Sequence, residues 1–178
     1  MKTIKICGVG SVLLGDDAVG PYMARWIAAN YEFGEGVEVE DLGTPGLDLL
    51  AYMTGIDVLI LIDSVDNKLP AGTVTVYDKA EITRQRPAVR LDPHSPCITE
   101  CIFIAELAGG GPEDVYLIGV TGESLDVGLQ LSSSVKRAIP AAVEKVLELV
   151  ARHGGSFHKR ESTIDADIWW EAPVGLTQ

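Results

Sequence analysis

Continuous apolar runs at residues 3–9, 58–62 and 115–120 are the strongest constraint on what this chain can become. A strand that is apolar in both directions has no face to give to water, so its sheet must be covered on both sides. Between these runs the period changes. Val19, Tyr22, Met23, Trp26 and Ile27 recur at helical spacing within residues 18–30. Residues 37–42 and 72–77 read as shorter alternating strands. Thr44-Pro45 predicts a helix start with Thr44 as N-cap, and Leu47, Leu49, Leu50 and Met53 as the packing residues. Residues 79–95 are predicted irregular because Pro87 and Pro93 interrupt them. Residues 98–107 form a helix stopped by Gly109-Gly110-Gly111-Pro112. Residues 132–152 form a long amphipathic helix with Val135, Ile139, Val143, Val146, Leu147 and Val150 inward. The order β-α-β-α-β-β-α-β-α predicts an α/β three-layer sandwich, α/β/α, around a mostly parallel twisted sheet of about five strands. Residues 1–153 are expected to form that one domain. Residues 154–178 read as a polar tail with room to be flexible. Its Trp169-Trp170 pair serves either as a docking patch or as part of a solvated extension.

Charge narrows the possible partners. The 178 residues carry 14 Lys+Arg against 26 Asp+Glu, a net charge of −12, with 47% apolar residues to build a core. That balance lacks the cationic excess that neutralises nucleic-acid phosphates or anionic lipid, so neither is an expected partner. It leaves room for metal cations or a basic peptide. The opening residues carry too short an apolar stretch for a signal peptide, and the run at 58–62 is too short to span a bilayer. Cys7, Cys97 and Cys101 form no even-numbered framework and read as free thiols. A soluble, cytoplasmic protein is the expectation.

In open α/β sheets ligands collect beyond the carboxyl ends of the strands. Gly8-x-Gly10 after the first strand invites a dinucleotide reading, but the third glycine of that fingerprint is replaced by Leu13. Asp16 and Asp17 would also repel a pyrophosphate at the helix start. A metal fits these residues better. Asp17 opens a helix, Asp63 follows a buried strand, and His94 lies between two prolines. Two carboxylates and an imidazole suit a divalent transition metal with open positions. Each has a plainer reading, Asp17 as a helix-dipole partner and Asp63 as an acceptor in a strand-end turn. His94, Cys97 and Cys101 form a competing zinc set with no evident fourth ligand, and buried free cysteines also serve as small hydrophobes. No Gly-x-Ser-x-Gly elbow supports a serine hydrolase.

The ordered set Gly8-Val9-Gly10-Ser11-x2-Leu14-x-Asp16-Asp17-x2-Gly20, Asp41-x-Gly43-Thr44-x-Gly46, Leu59-Ile60-Leu61-Ile62-Asp63, Pro93-His94 and Ile118-Gly119-Val120-x2-Glu123-Ser124 resembles the hydrogenase maturation proteases. These endopeptidases trim the C-terminus of the large subunit of [NiFe] hydrogenases. The resemblance spans about residues 3–150. It implies that Asp17, Asp63 and His94 are the metal-contacting, catalytic set, with Asp16 orienting the loop or Asp17, and that Gly43-Thr44 is the substrate-binding specificity loop. It implies a large-subunit precursor as partner and no stored cofactor. The metal is nickel already carried by the precursor's cysteines, although the site could hold another divalent metal in vitro. Two positions depart from the family pattern. Ser11 stands where Asn is usual, and Asp17 where Glu is frequent, so the helix must approach the metal more closely or bind it differently. Two other classes stay open at this point. One is a non-catalytic nickel-sensing chaperone for the same precursor, and the other a metal-dependent hydrolase of small substrates.

Overall fold

The structure, a computed structural model, describes residues 2–85 and 98–171. Five strands form the main sheet: β1 (Ile4–Val9), β3 (Val37–Gly43), β4 (Val58–Val65), β5 (Val74–Asp78) and β6 (Asp114–Thr121), in the order β3-β1-β4-β6-β5. β1 pairs in parallel with β3 and β4, and β4 in parallel with β6, while β5 closes the far edge antiparallel to β6. Among the described residues five α-helices cover the sheet: α1 (Val19–Asn30), α2 (Leu49–Met53), α3 (Lys79–Gln85), α4 (Ile98–Leu107) and α5 (Ser133–Arg152). A separate two-stranded ribbon joins β2 (Tyr31–Phe33) to β7 (Phe157–Lys159), antiparallel.

The alternation of each strand assigns the layers. Ile4, Ile6, Val58, Ile60, Ile62 and Ile118 pack with α1 and α5 through Met23, Ile27, Val135 and Val146. Cys7, Leu59, Leu61, Val115 and Leu117 face the other way, against Met53, Ile82, Ile98 and Ile102. All eight residues of β4 are buried. Burial stabilises each such Val, Leu or Ile side chain by about 1.5–3 kcal/mol, and this is why the central strand reads as unbroken apolar sequence.

β1 and α1 meet backbone to backbone. A Cβ on Gly20 would run into the carbonyl oxygens of Val9 and Ile62, and one on Gly8 into that of Gly20. Glycine at both positions lets the start of α1 lie directly on the ends of β1 and β4. The carboxylates preceding α1 are thereby pressed toward the sheet edge.

Several local features depart from the sequence expectation. Residues 79–85 are helical, because Asp78 and Glu81 form a reciprocal cap. The Glu81 amide donates to the Asp78 carboxylate at 2.8 Å, and the Asp78 amide to Glu81 at 3.0 Å. Thr44 makes no capping bond, and the turn begins instead as a 3-10 helix, Gly46–Asp48, running into α2. β4 continues through Asp63 to Val65, so Asp63 is a strand residue and not a turn residue. Ser132 does cap α5, accepting from the Val135 amide at 3.3 Å. Residues 160–171 lie along the domain and place a further 3-10 turn, Trp169–Glu171, against it, with Trp170 buried. Among the described residues no helix is long and apolar enough to cross a membrane.

Candidate active site

The chain leaves β1 toward β3 on one side, and returns past β1 to β4 on the other. The crevice between the carboxyl ends of β1 and β4 is therefore the topological switch point, where open α/β sheets bind ligands. β1 and β4 stay in register only to the pair Gly8–Ile62. Asp63 is the next residue, at the point where β4 outruns its neighbour. It keeps β6 alongside, opposite Gly119.

Asp63 is 2% exposed. One oxygen, Oδ1, accepts the Ser64 amide at 2.7 Å, while Oδ2 is buried with no hydrogen-bond partner among the described residues. Burial, and then the neighbouring charge of Asp17, push the Asp63 carboxyl well above the usual range. A buried carboxylate beside another carboxylate is costly unless a proton or a cation joins it.

Asp17 comes to this crevice on the 3-10 turn Gly15–Ala18 that leads into α1, and it too is buried. Its Oδ2 accepts the Ser11 amide at 2.7 Å. Gly10 makes this possible. At φ 134° it adopts a backbone conformation that a side chain would strain, and a Cβ there would strike the Asp17 carbonyl. The Ser11 side chain is not needed for that bond. Its Oγ accepts instead from the Leu13 amide at 3.3 Å, within the same loop.

Asp16 performs a different task from its neighbour. Its carboxylate accepts the amides of Ser132 at 2.6 Å, Glu123 at 2.7 Å and Ser124 at 3.3 Å. It thus ties the loop after β6 and the start of α5 to the turn that carries Asp17. Two further backbone bonds lock the same pair of segments, Gly15 to Gly128 at 2.9 Å and Gly128 to Leu13 at 3.0 Å. The negative charge also meets the positive end of α5.

Asp17 and Asp63 are thus brought together. His94 and Cys97 lie outside the described residues. The side chain of Asp63 shares the alternation of Leu59, Leu61 and Val65. It therefore faces the layer of α4, the helix that follows residues 86–97. Among the described residues no group of three His, Cys, Asp or Glu could hold a metal ion. The described share of the proposed set is this carboxylate pair. Cys101, from the competing zinc set, is buried against α2, its thiol 3.9 Å from the Gly46 carbonyl. Asp41, near the end of β3, is engaged by Arg25 at 2.7 Å and by the Gly43 amide at 3.0 Å.

Gly43 and Thr44 stand at the mouth of a neighbouring cleft of about 400 Å³, which also includes Gly10, Ser11 and Leu13. The hydrogenase maturation protease family model matches residues 21–149. The chain belongs to the hydrogenase maturation protease family. The Hydrogenase 2 maturation protease of Escherichia coli is 31% identical over 166 residues, covering 91% of this chain and 99% of its own length. The hydrogenase expression/formation protein HoxM of Azotobacter vinelandii is 31% identical over 174 residues, 97% of this chain and 83% of its own length. The solved structure of the hydrogenase maturating endopeptidase HybD from E. coli superposes with a TM-score of 0.80 at 30% identity, covering 90% of this chain and 98% of that one. The protease, with its mixed five-stranded sheet, thus shares the fold of that endopeptidase.

The raised pKa of Asp63 gives a stability prediction for the metal-free protease. An unfolded aspartate titrates near ~3.9. Between that value and its raised folded value, the folded state binds more protons than the unfolded one. Stability therefore falls as pH rises through this window and stays reduced above it. Asp63→Asn removes the charge, while its carbonyl oxygen can still accept the Ser64 amide. In thermal melts with chelator, this variant is expected to melt at least ~3 °C above the parent at pH 7, with the gap closing near pH 4. A gap independent of pH would mean that the charge is not the cause.

Proposed function

We propose that the protease, acting in the cytoplasm, removes the C-terminal extension of a [NiFe] hydrogenase large-subunit precursor after nickel insertion, with Asp17, Asp63 and His94 meeting nickel held on the precursor's cysteines. The observation that carries this reading is the buried Oδ2 of Asp63, which has no hydrogen-bond partner among the described residues, beside Asp17. A buried carboxylate oxygen beside a second carboxylate favours a cation or a proton next to it. A metal presented on the substrate would relieve the repulsion only when substrate is bound, so recognition and neutralisation coincide.

Asp17 is held by the Ser11 amide and Asp63 by the Ser64 amide, so neither carboxylate must reorganise when its substrate arrives. Fixing the precursor's metal at the switch point orients the adjacent chain, and positioning of this kind lowers the barrier to peptide hydrolysis. Nickel would supply Lewis-acid polarisation of a carbonyl held next to it. Gly43-Thr44, at the cleft beside Ser11, would select the chain to be cut.

Incubation with nickel-loaded precursor, read by intact mass, tests this reading. A shortened precursor is the expected result. Binding without a change of mass would identify a nickel-sensing chaperone. Cleavage of small substrates by a protein that keeps its own metal through purification would identify a conventional metal-dependent hydrolase. Either of these outcomes overturns the reading.

A further inference from the structure

The cleft beside the carboxylate pair has one wall built from residues that follow the family match, which ends at residue 149. Trp169 lines it from beyond residue 149, facing the loop that carries Ser11 and Leu13. Trp169 is 59% exposed and Leu13 57%. Single exposed apolar side chains are ordinary. Two of them lining one cleft, one being an ordered indole, are the make-up of a recognition pocket.

The order of Trp169 is built by its surroundings. Its ring stands edge-on to Trp170, 5.7 Å between centroids at 87°. Trp170 is buried beneath the Arg25 guanidinium, 5.3 Å from its ring. Arg25 in turn bridges Asp41 at 2.7 Å and Asp167 at 2.8 Å. Glu171 accepts the Leu131 amide at 3.0 Å and pairs with Lys136 at 2.9 Å. The segment is thus pinned on both sides of the tryptophan pair, so a ligand gripped by Trp169 meets a wall that is already ordered. The ionic groups of the cleft, Arg25 and Asp41, are engaged with each other. Beside the hydroxyls of Ser11 and Thr44, Leu13 and Trp169 give the cleft its exposed apolar contact.

Resting on the function proposed above, we propose that Trp169 and Leu13 grip an apolar or aromatic side chain of the precursor's C-terminal peptide, and that Trp169 is a specificity-determining residue. The occupant follows from continuity with the metal site. Ser11 lines the cleft, and its amide holds Asp17. A peptide leaving the metal site in extended form advances about 3.3 Å per residue, so the cleft takes a side chain a few residues from the metal-bearing cysteine.

The test is steady-state trimming of nickel-loaded precursor by the full-length protease, Trp169→Ala, Trp169→Phe and Leu13→Ala. Trp169→Ala is expected to raise KM by about 10- to 30-fold with kcat unchanged, the mark of binding lost equally from ground and transition states. Trp169→Phe should recover most of the loss, and Leu13→Ala should raise KM by a smaller factor. A synthetic peptide of the extension should blue-shift the indole fluorescence of the parent, and not that of Trp169→Phe. An unchanged KM in Trp169→Ala overturns the proposal. So does a change confined to oligomeric state, measured by light scattering, which would make this wall a self-association surface. If the parent itself fails to trim, the functional reading fails and takes this inference with it. If the parent trims and the variant's KM is normal, only this inference fails.

Discussion

Asp63→Ala is expected to slow trimming of nickel-loaded precursor by about 1,000-fold or more, because metal-based polarisation and placement of the substrate are worth several kcal/mol of barrier. The fold should survive. Asp63 makes one hydrogen bond, to the amide of its own neighbour Ser64, and its second oxygen makes none among the described residues. Removing it takes a destabilised charge out of the interior. Asp17→Ala is expected to lose activity to a similar degree. It also frees the Ser11 amide, so a modest drop in melting temperature should accompany it. His94→Ala is expected to behave like Asp63→Ala in the trimming assay. The check is trimming rate together with the circular-dichroism melt of each variant. Trimming at the parental rate by Asp63→Ala would remove the carboxylate pair from the mechanism.

Asp16→Ala should do the opposite, costing stability first. Three backbone amides, from Glu123, Ser124 and Ser132, lose their acceptor together. Each buried donor left unpaired costs about 1–3 kcal/mol, less where water enters the vacated space. A net loss of about 3–4 kcal/mol is expected, or about 10 °C in melting temperature for a domain of this size. Asp16→Asn should recover only part of it, because an amide has a single acceptor oxygen and turns donor hydrogens toward other donors. Thermal melts of both variants measure this. A shift below 2 °C for Asp16→Ala would show that the loop after β6 is held by other means. Adjacent aspartates, both buried, thus have separable roles: Asp16 secures the segment and Asp17 presents charge to the crevice.

The central architecture was legible because its strands are apolar on both faces, a pattern that only a covered parallel sheet explains. The carboxylates were legible as candidates because Asp17 opens a helical pattern and Asp63 follows an apolar run. What the sequence did not convey was distance. Asp63 belongs to β4, and its significance comes from being the first of three β4 residues, Asp63 to Val65, beyond the last pair with β1. The α3 helix carried a readable signal, Asp78 and Glu81 three apart, masked by the prolines that follow. The placement of residues 160–171 had no local signal at all. It depends on contacts between Arg25 and Asp167, 142 positions apart in sequence, and on Lys136 reaching Glu171. Such pairings between distant residues do not alter the periodicity of either segment.

Under the proposed function, this carboxylate pair reads a metal carried by the substrate. Intact-mass spectrometry of nickel-loaded and nickel-free precursor, each incubated with metal-free parent protease and with Asp63→Asn, tests it most directly. A shortened precursor is expected only where the parent protease meets nickel-loaded substrate. Trimming of the nickel-free precursor, or undiminished trimming by Asp63→Asn, would contradict it.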